Sequence, residues 1–502
     1  MKRELRPHQV DAISMLRSSL STGHRRPMIQ AATGFGKTVL AGHMINGALS
    51  KGNQVIMTVP SISLVDQTYS SLFADGIYDV GVMQANHPQT NPQAPVQVAC
   101  LATLQRRQLP KAAFVLVDEA HIRSKFLSAW MRLPGWEKTP FIGLSATPWT
   151  KGLGKDYDDL IIAATTKDLI EKGYLSPFRV FAGKVKPDLS TVGDVAGDYN
   201  EGQLATEMQK PKLIADVVQT WLEKGEDRPT ICFAVDCAHA QTLQEKFDRV
   251  GIPTAYIDAH TPRTERDAIG RRVKSGEVKI VFNVGCCTTG IDWPNVSCII
   301  LARPTKSEIL YVQIVGRMLR TAKGKIDALL LDHTSTTTNL GYVTDIHHTK
   351  LDDGKQPSAK AKKDEKEERE ERLPRECMNC NYVMPQGVQI CPHCAFDNGF
   401  KKKSKLVHAD GELVELTAKK LYTKDEKQLW YSMLKHIQVE KGRNPKWVDH
   451  MYRDKFGVWP RGMHESTTSP SIEVRNFVTS RAIAYAKGKA AQFAKARQGE
   501  FA

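Results

Sequence analysis

The chain has 502 residues, 41% of them hydrophobic and 25% charged, with 70 basic against 55 acidic side chains and a net charge of +15. That is the composition of an ordinary globular protein, with a length suited to about three domains of roughly 150 residues. No apolar run approaches the roughly 18 residues of a membrane helix. The opening Met1-Lys2-Arg3-Glu4-Leu5-Arg6 lacks an apolar signal core, and the ten cysteines do not read as a secreted disulfide framework, so a cytoplasmic protein without membrane contact is expected.

The first 150 residues alternate short runs rich in Val, Ile and Leu (27–30, 54–59, 96–101, 113–117 and 141–144) with amphipathic, helix-like segments. Runs too short for core helices, alternating with helices, predict a parallel sheet covered on both faces. Directly after the first run comes Ala31-Ala32-Thr33-Gly34-Phe35-Gly36-Lys37-Thr38. Small residues such as Thr33, Gly34 and Gly36 let a backbone wrap a phosphate with its N–H groups inward. Lys37 can then reach the β- and γ-phosphates of ATP, and the Thr38 hydroxyl can hold Mg²⁺. Ala31 stands where the full phosphate-loop pattern has its first glycine, and a chance glycine-rich turn is the bland alternative. The fourth run ends in Asp118-Glu119-Ala120-His121. Parallel sheets place ligands at the carboxyl ends of strands, so Asp118 can hold Mg²⁺ through water and Glu119 can orient and deprotonate an attacking water.

Residues 151–177 read as a connection ending in Gly173-Tyr174-Leu175-Ser176-Pro177. The strand-and-helix pattern then restarts over 178–350, with runs at 178–182, 230–235, 253–257, 279–284, 296–301 and 326–331. Cys100, Cys232, Cys237, Cys286, Cys287 and Cys298 lie in or beside these runs and read as buried thiols. Residues 351–376 form a Lys/Glu/Arg-rich linker or solvated helix. Within 377–400, Cys377-Met378-Asn379-Cys380 and Cys391-Pro392-His393-Cys394 have the spacing of a zinc ribbon: two knuckles offer four thiolates to one structural Zn²⁺, with His393 read as a bystander and, as the alternative, a ligand. The tail, 401–502, reads as three helices. Thr423 and Glu426 form a capping box. Asn444-Pro445 opens a second helix that Gly457 ends, and Ser469-Pro470 opens a third carrying Arg475, Arg481, Lys487, Lys489, Lys495 and Arg497. Residues 1–350 hold 41 basic and 34 acidic side chains and residues 395–502 hold 21 and 12, so over half of the basic excess sits in the last fifth. That bias favours a polyanion such as nucleic acid. The tail's aromatics serve either as a small helical core or as stacking platforms for a strand.

Asp118-Glu119-Ala120-His121 beside the phosphate loop resembles the DEAD/DEAH-type helicases of superfamily 2, and the resemblance extends over residues 5–332. It implies two tandem RecA-like domains followed by the ribbon and the small helical tail. Leu5-Arg6-Pro7-His8-Gln9 resembles the adenine-reading segment, with Arg6 and Gln9 at the nucleotide. Val59-Pro60-Ser61 with Gln67, and Thr103-Leu104-Gln105, resemble loops that grasp a nucleic-acid strand. Ser145-Ala146-Thr147-Pro148, with His121, resembles the element coupling hydrolysis to that grasp. Ile231-Cys232-Phe233 resembles the opening strand of the second domain, and Thr289-Gly290-Ile291-Asp292 the motif that touches both strand and nucleotide. Gln313-Ile314-Val315-Gly316-Arg317-Met318-Leu319-Arg320 resembles the arginine-finger motif, which implies that Arg317 and Arg320 reach the γ-phosphate. RNA-directed relatives usually begin that motif with His. Gln313 therefore implies DNA, and the wider pattern resembles bacterial RadD-like and phage-encoded DNA helicases.

The expectation is an ATP-dependent DNA helicase or translocase acting in repair, recombination or replication, on single-stranded or branched DNA, with a protein partner reached through the ribbon or tail. Its rivals are a branched-DNA remodeller without processive unwinding, an RNA helicase, and an inactive ATP-binding scaffold.

Overall fold

The computed structural model describes residues 2–84, 87–195, 197–288, 291–355, 373–399, 423–471, 473–475, 477–479 and 481. The chain divides into two compact units, Met1–Lys403 and Ser404–Ala502.

The larger unit carries two parallel sheets. The first is built from β1 (Pro27–Gln30), β2 (Val55–Val59), β3 (Val80–Met83), β4 (Val96–Cys100), β5 (Phe114–Asp118), β6 (Phe141–Ser145) and β7 (Asp159–Ile161). Their order is β3-β4-β2-β5-β6-β1-β7, all parallel. Strands β1, β2, β4 and β6 are buried along their whole length, which is why they read as short runs rich in apolar residues on both faces. Two strands escape that signal. β3 is four residues long and contains Gly81. β7 has three residues, opens on an aspartate and lies inside the stretch read as a connection.

The second sheet is built from β8 (Phe178–Ala182), β11 (Thr230–Phe233), β12 (Thr254–Ile257), β13 (Ile280–Asn283), β14 (Cys298–Leu301) and β15 (Ala328–Asp332), in the order β12-β13-β11-β14-β15-β8 and again all parallel. A short hairpin of β9 (Asp194–Val195) and β10 (Asp198–Tyr199) precedes β11. The lobes share apolar contact: one buried cluster includes Ile29 and Phe35 from the first, Leu169 and Leu175 from the connection, and Met318 and Leu319 from the second.

Of the six cysteines expected in the interior, Cys100, Cys232, Cys287 and Cys298 are buried, but Cys286 is half-buried and Cys237 is exposed. Cys237 lies past the end of β11 as the first residue of helix Cys237–Arg249, capped by Asp236, so it leaves the sheet before its side chain can enter the core.

Strands β16 (Arg375–Glu376) and β17 (Val383–Met384) pair antiparallel around the first cysteine pair, Ile390 and Asp397 bridge around the second, and the four ribbon cysteines lie together. The ribbon lies against β8, the edge strand of the second sheet. Phe181 and Tyr382 form an antiparallel bridge, and Ala182 N–H donates to Asn381 O at 2.9 Å. Tyr342 Oη donates to Val383 O at 2.6 Å. The His393 ring stacks on Tyr382 and meets Phe181 edge-on, so it is occupied by packing, as a bystander would be.

In the smaller unit Thr423 caps helix Lys424–Glu440, with Glu426 completing the box, and helix Lys446–Phe456 ends at Gly457, whose φ is +73°. Trp430, Leu434, Ile437, Val448, Tyr452, Val474 and Val478 form its core. Trp459 stays outside at 46% exposure, with the Arg453 guanidinium 4.4 Å from its ring centre. Lys487, Lys489, Lys495 and Arg497 lie outside the described residues, as does most of the charged linker. Among the described residues no helix is long and apolar enough to cross a membrane.

Candidate nucleotide site between the lobes

The carboxyl ends of β1, β5 and β6 open onto a cleft of about 310 Å³ whose far wall comes from the second lobe. Its lining includes Thr33, Gly34, Gly36, Lys37, Thr38, Asp118, Glu119, Asp292, Gln313, Arg317 and Arg320. Thr33 and Arg320, 287 positions apart in sequence, thus meet at one place. Thr289 and Gly290 lie outside the described residues.

The loop after β1 turns on Gly34 and Gly36, at φ +87° and +90°, and Lys37 opens helix Lys37–Leu49. Helix N-termini concentrate unpaired N–H groups and positive potential, which suits a phosphate. Gly36 is fixed for a second reason: a Cβ there would stand 2.4 Å from Gln9 Nε2. The Gln9 amide donates to Phe35 O at 2.9 Å and Gly36 O at 3.2 Å, while its oxygen accepts from Arg6 N–H at 2.8 Å. Gln9 therefore braces the phosphate loop. The Arg6 guanidinium lies 4.9 Å from the Tyr174 ring centre.

Lys37 Nζ is paired with Glu119 and lies 3.5 Å from Asp118 Oδ1. Burial lowers the Lys37 ammonium, but the two carboxylates outweigh it and hold the group above its ordinary value. Burial pushes Asp118 up, beyond what Lys37 recovers. Burial acts the same way on Glu119, but there Lys37 prevails and the carboxyl sits below its usual range. Glu119 is thus the firmly anionic member of the pair. Its backbone is left-handed, φ +48°, a sparsely populated conformation for a glutamate that aims the carboxylate back at Lys37.

Behind Glu119 runs a buried polar chain. Glu119 Oε2 is 3.3 Å from His121 Nδ1, which is 2.9 Å from Ser145 Oγ. Ser145 Oγ also accepts from Thr147 N–H at 3.1 Å. From the other lobe, Gln313 Nε2 donates to His121 Nε2 at 3.1 Å and to Thr147 Oγ1 at 3.4 Å. An amide donor on Nε2 requires that nitrogen to be the acceptor, so the His121 proton sits on Nδ1, facing Ser145 and Glu119. Burial lowers the His121 pKa, consistent with a neutral ring. This chain joins the lobes, and Gly316 allows it: a Cβ at Gly316 would meet Thr33 Oγ1 at 2.6 Å.

Arg317 and Arg320 follow helix Glu308–Gly316. Arg317 NH1 donates to Ile291 O at 2.9 Å, and its Nε finds no hydrogen-bond partner among the described residues. Burial, with Arg320 beside it, pushes Arg317 down to about 10, so it stays charged at neutral pH. Arg320 pairs with Asp292.

The expected strand-grasping residues sit at the margin. Pro60 and Ser61 lead from β2 into helix Ile62–Ala74, where Gln67 lines both the nucleotide cleft and a neighbouring interlobe cleft of about 650 Å³ with Arg263, Arg266 and Trp293. Thr103 lies in the short helix Leu101–Leu104 after β4 and lines neither cleft. Arg263 and Asp66 close an ion pair between the lobes at 2.8 Å. Sequence reading gave no site role to Arg3 or Lys325, and took Tyr174 only as part of the joint between the lobes; the fold brings Arg3 to the cleft and Tyr174 to Arg6.

The four ribbon sulfurs lie within 4.8 Å of one another, with Cys377–Cys394 at 3.7 Å and Cys380–Cys391 at 3.8 Å. Thiolates around a tetrahedral Zn²⁺ at about 2.3 Å stand roughly 3.8 Å apart. The spacing fits that geometry and is far from the S–S bond length of about 2.05 Å in a disulfide.

Comparison with known proteins agrees with this layout. Residues 2–150 match the family described as "Type III restriction enzyme, res subunit", and residues 209–322 the "Helicase conserved C-terminal domain". The Saccharomyces cerevisiae protein IRC3, named as an ATP-dependent helicase, is 30% identical over 353 residues, covering 65% of this chain and 51% of its own. This chain thus spans about half the length of that relative. A 51.5 kDa protein of a Lactococcus phage is 26% identical, covering 83% of this chain and 88% of its own. A fragment of an HsdR-type subunit of a type I restriction enzyme from Vibrio vulnificus shares the fold, with TM-score 0.54, 20% identity, and coverage of 71% of this chain and 68% of that one. The Type ISP restriction-modification enzyme LlaBIII, bound to DNA, does so at TM-score 0.52 and 18% identity, over 66% of this chain and 28% of its own. The res-subunit and helicase C-terminal families matched in tandem, one on each sheet, the helicase-named relative and a cleft built from residues of both lobes together identify the chain as a member of the superfamily 2 helicases.

Proposed function

We propose that this protein is a DNA-stimulated ATPase that moves on or remodels DNA. The observation carrying the proposal is the convergence of Lys37, Asp118 and Glu119 from one lobe with Gln313, Arg317 and Arg320 from the other on a single cleft. Lys37 and the helix N-terminus bind phosphate, and Glu119 orients and deprotonates the attacking water. Arg317 and Arg320 stabilise charge developing on the transferred group. Thr38 and Asp118 have the chemistry to hold Mg²⁺, which would neutralise phosphate charge when bound. Because the cleft needs both lobes, nucleotide occupancy biases their separation, and a strand lying across both is stepped as they part and rejoin. The basic tail and the Arg453–Trp459 pair suit a DNA strand. DNA is favoured over RNA by Gln313, and repair, recombination or replication is the matching setting in the cytoplasm.

Steady-state hydrolysis by wild type and Lys37→Ala, with single-stranded, duplex and forked DNA and with RNA, tests this. DNA stimulation that disappears in Lys37→Ala is the expected outcome, and the best substrate separates unwinding from branch remodelling. Stimulation by RNA alone, or hydrolysis surviving in Lys37→Ala, would overturn it.

Cys377, Cys380, Cys391 and Cys394 are proposed to hold one structural Zn²⁺, since four thiolates leave no open position. Cys391→Ser should lower bound zinc from about one ion per chain to near none and reduce the melting temperature of the larger unit, because metal binding supplies folding energy to so small a module. Wild-type protein purified without any stoichiometric metal would refute the assignment.

A further inference from the structure

Lys325 belongs to none of the motifs above. It lies in the return between Arg320 and β15, where Lys325 N–H donates to Ala322 O at 3.1 Å and Gly324 has φ +82°. The turn sends its side chain back beneath the arginine segment. There Nζ meets four carbonyl oxygens: Arg320 and Val296, each at 2.7 Å, Pro294 at 3.3 Å, and Met318. The carboxylate nearby, Asp327, is engaged by Arg179 and Arg228. The Lys325 amine is therefore met by backbone carbonyls rather than by an ion pair, and burial, with Arg228 and Arg320 nearby, pushes it down to about 7. A partly buried amine is costly unless its donors are used, and here four carbonyl acceptors are offered, more than its N–H groups can fill.

The four carbonyls belong to two stretches of chain. Met318 and Arg320 lie within the arginine-bearing turn itself. Pro294 and Val296 follow Ile291 and Asp292, which accept from Arg317 and Arg320 at the opposite end of the same contact. Ser176 adds to the hold, its N–H donating to Leu319 O at 2.7 Å.

We propose that Lys325 is a positioning residue for the arginine pair, clamping the segment of Arg317 and Arg320 to the turn after Asp292 so that both guanidiniums face the nucleotide cleft at a fixed height. This rests on reading the two arginines as the cations that act on ATP. Lys325 touches neither nucleotide nor strand. Its removal acts through geometry, and a displacement of about 1 Å in such groups costs about a hundredfold in rate.

The test uses the full chain as wild type, Lys325→Met, Lys325→Arg, Arg320→Ala and the double variant Lys325→Met/Arg320→Ala. Lys325→Met should bind ATP within about twofold of wild type while kcat falls about a hundredfold, a split between binding and turnover that general loosening would not produce. Lys325→Arg, which keeps charge and donors, should recover part of the rate. In the Arg320→Ala background Lys325→Met should cost much less than alone, because both act on one unit. Hydrogen exchange supplies a readout independent of activity: amides of 317–322 should exchange faster in Lys325→Met while those of the first sheet do not. Wild-type kcat in Lys325→Met, losses that add fully to Arg320→Ala, or unchanged exchange at 317–322 would each overturn the proposal. Failure of both Lys325 variants to fold would also overturn it, making the lysine a general structural residue. A wild type that hydrolyses no ATP with any nucleic acid sinks the functional reading instead, and the exchange measurement still decides the clamp.

Discussion

Glu119→Gln is expected to bind ATP about as tightly as wild type and to hydrolyse it about a thousandfold more slowly, the loss typical when a positioned general base is removed. The substitution keeps size and shape and removes only the charge. In the free enzyme that charge is held by Lys37 on one side and faces His121 at 3.3 Å on the other. Lys37 retains Asp118, 3.5 Å away, so the phosphate loop should not collapse in the variant. The left-handed backbone at residue 119 is as accessible to glutamine as to glutamate. Nucleotide affinity measured by direct binding, set beside single-turnover hydrolysis, separates the two effects. A rate within tenfold of wild type would mean that another group activates the water.

Arg317→Ala should be as damaging to turnover, lowering kcat by about a thousandfold or more, the range seen when a transition-state arginine is lost. Arg320→Ala should cost less. The distinction follows from burial and partners. Arg317 is enclosed, with a guanidinium nitrogen still unpartnered among the described residues, whereas Arg320 is partly exposed and its charge is met by Asp292. Lysine should not rescue position 317. One ammonium cannot hold Ile291 O and reach a phosphoryl oxygen with the reach of a planar fork. A larger loss at 320 than at 317 would exchange the two roles.

The parts of this site legible from sequence are those whose chemistry is local. Gly34, Gly36 and Lys37 must be adjacent to wrap a phosphate, and Asp118 and Glu119 must end a buried strand, so spacing alone exposes them. Buried strands were readable for the same reason, since β2 and β4 are short runs rich in apolar residues and buried throughout. What sequence withholds are relations between distant segments. Nothing in Leu5-Arg6-Pro7-His8-Gln9 announces that the Gln9 amide braces the carbonyls of Phe35 and Gly36. Nothing marks Lys325 as different from Lys323, because the four carbonyls it gathers come from two turns that only the folded lobe brings together. β7 was missed because three residues carry no periodicity, and its place beside β1 is set by tertiary pairing. Cys237 misled because proximity to an apolar run does not say which side of a strand's end a residue falls on.

The ribbon's seat on β8 has a consequence for the order in which the protein can be completed. β8 is the first strand of its sheet to leave the ribosome, yet the chain that bridges to its free side, Asn381 to Val383, emerges some two hundred residues later. In that interval a strand of Phe178–Ala182 presents unpaired backbone groups to any neighbouring chain, the circumstance that favours edge-to-edge association. A nascent or truncated product ending before Arg375 would contain every residue of the nucleotide cleft and still be left with a self-adhesive border. The ribbon thus serves as a closing piece for the second sheet, and its loss should appear first as poor yield of soluble protein rather than as a defect in the chemistry of the cleft.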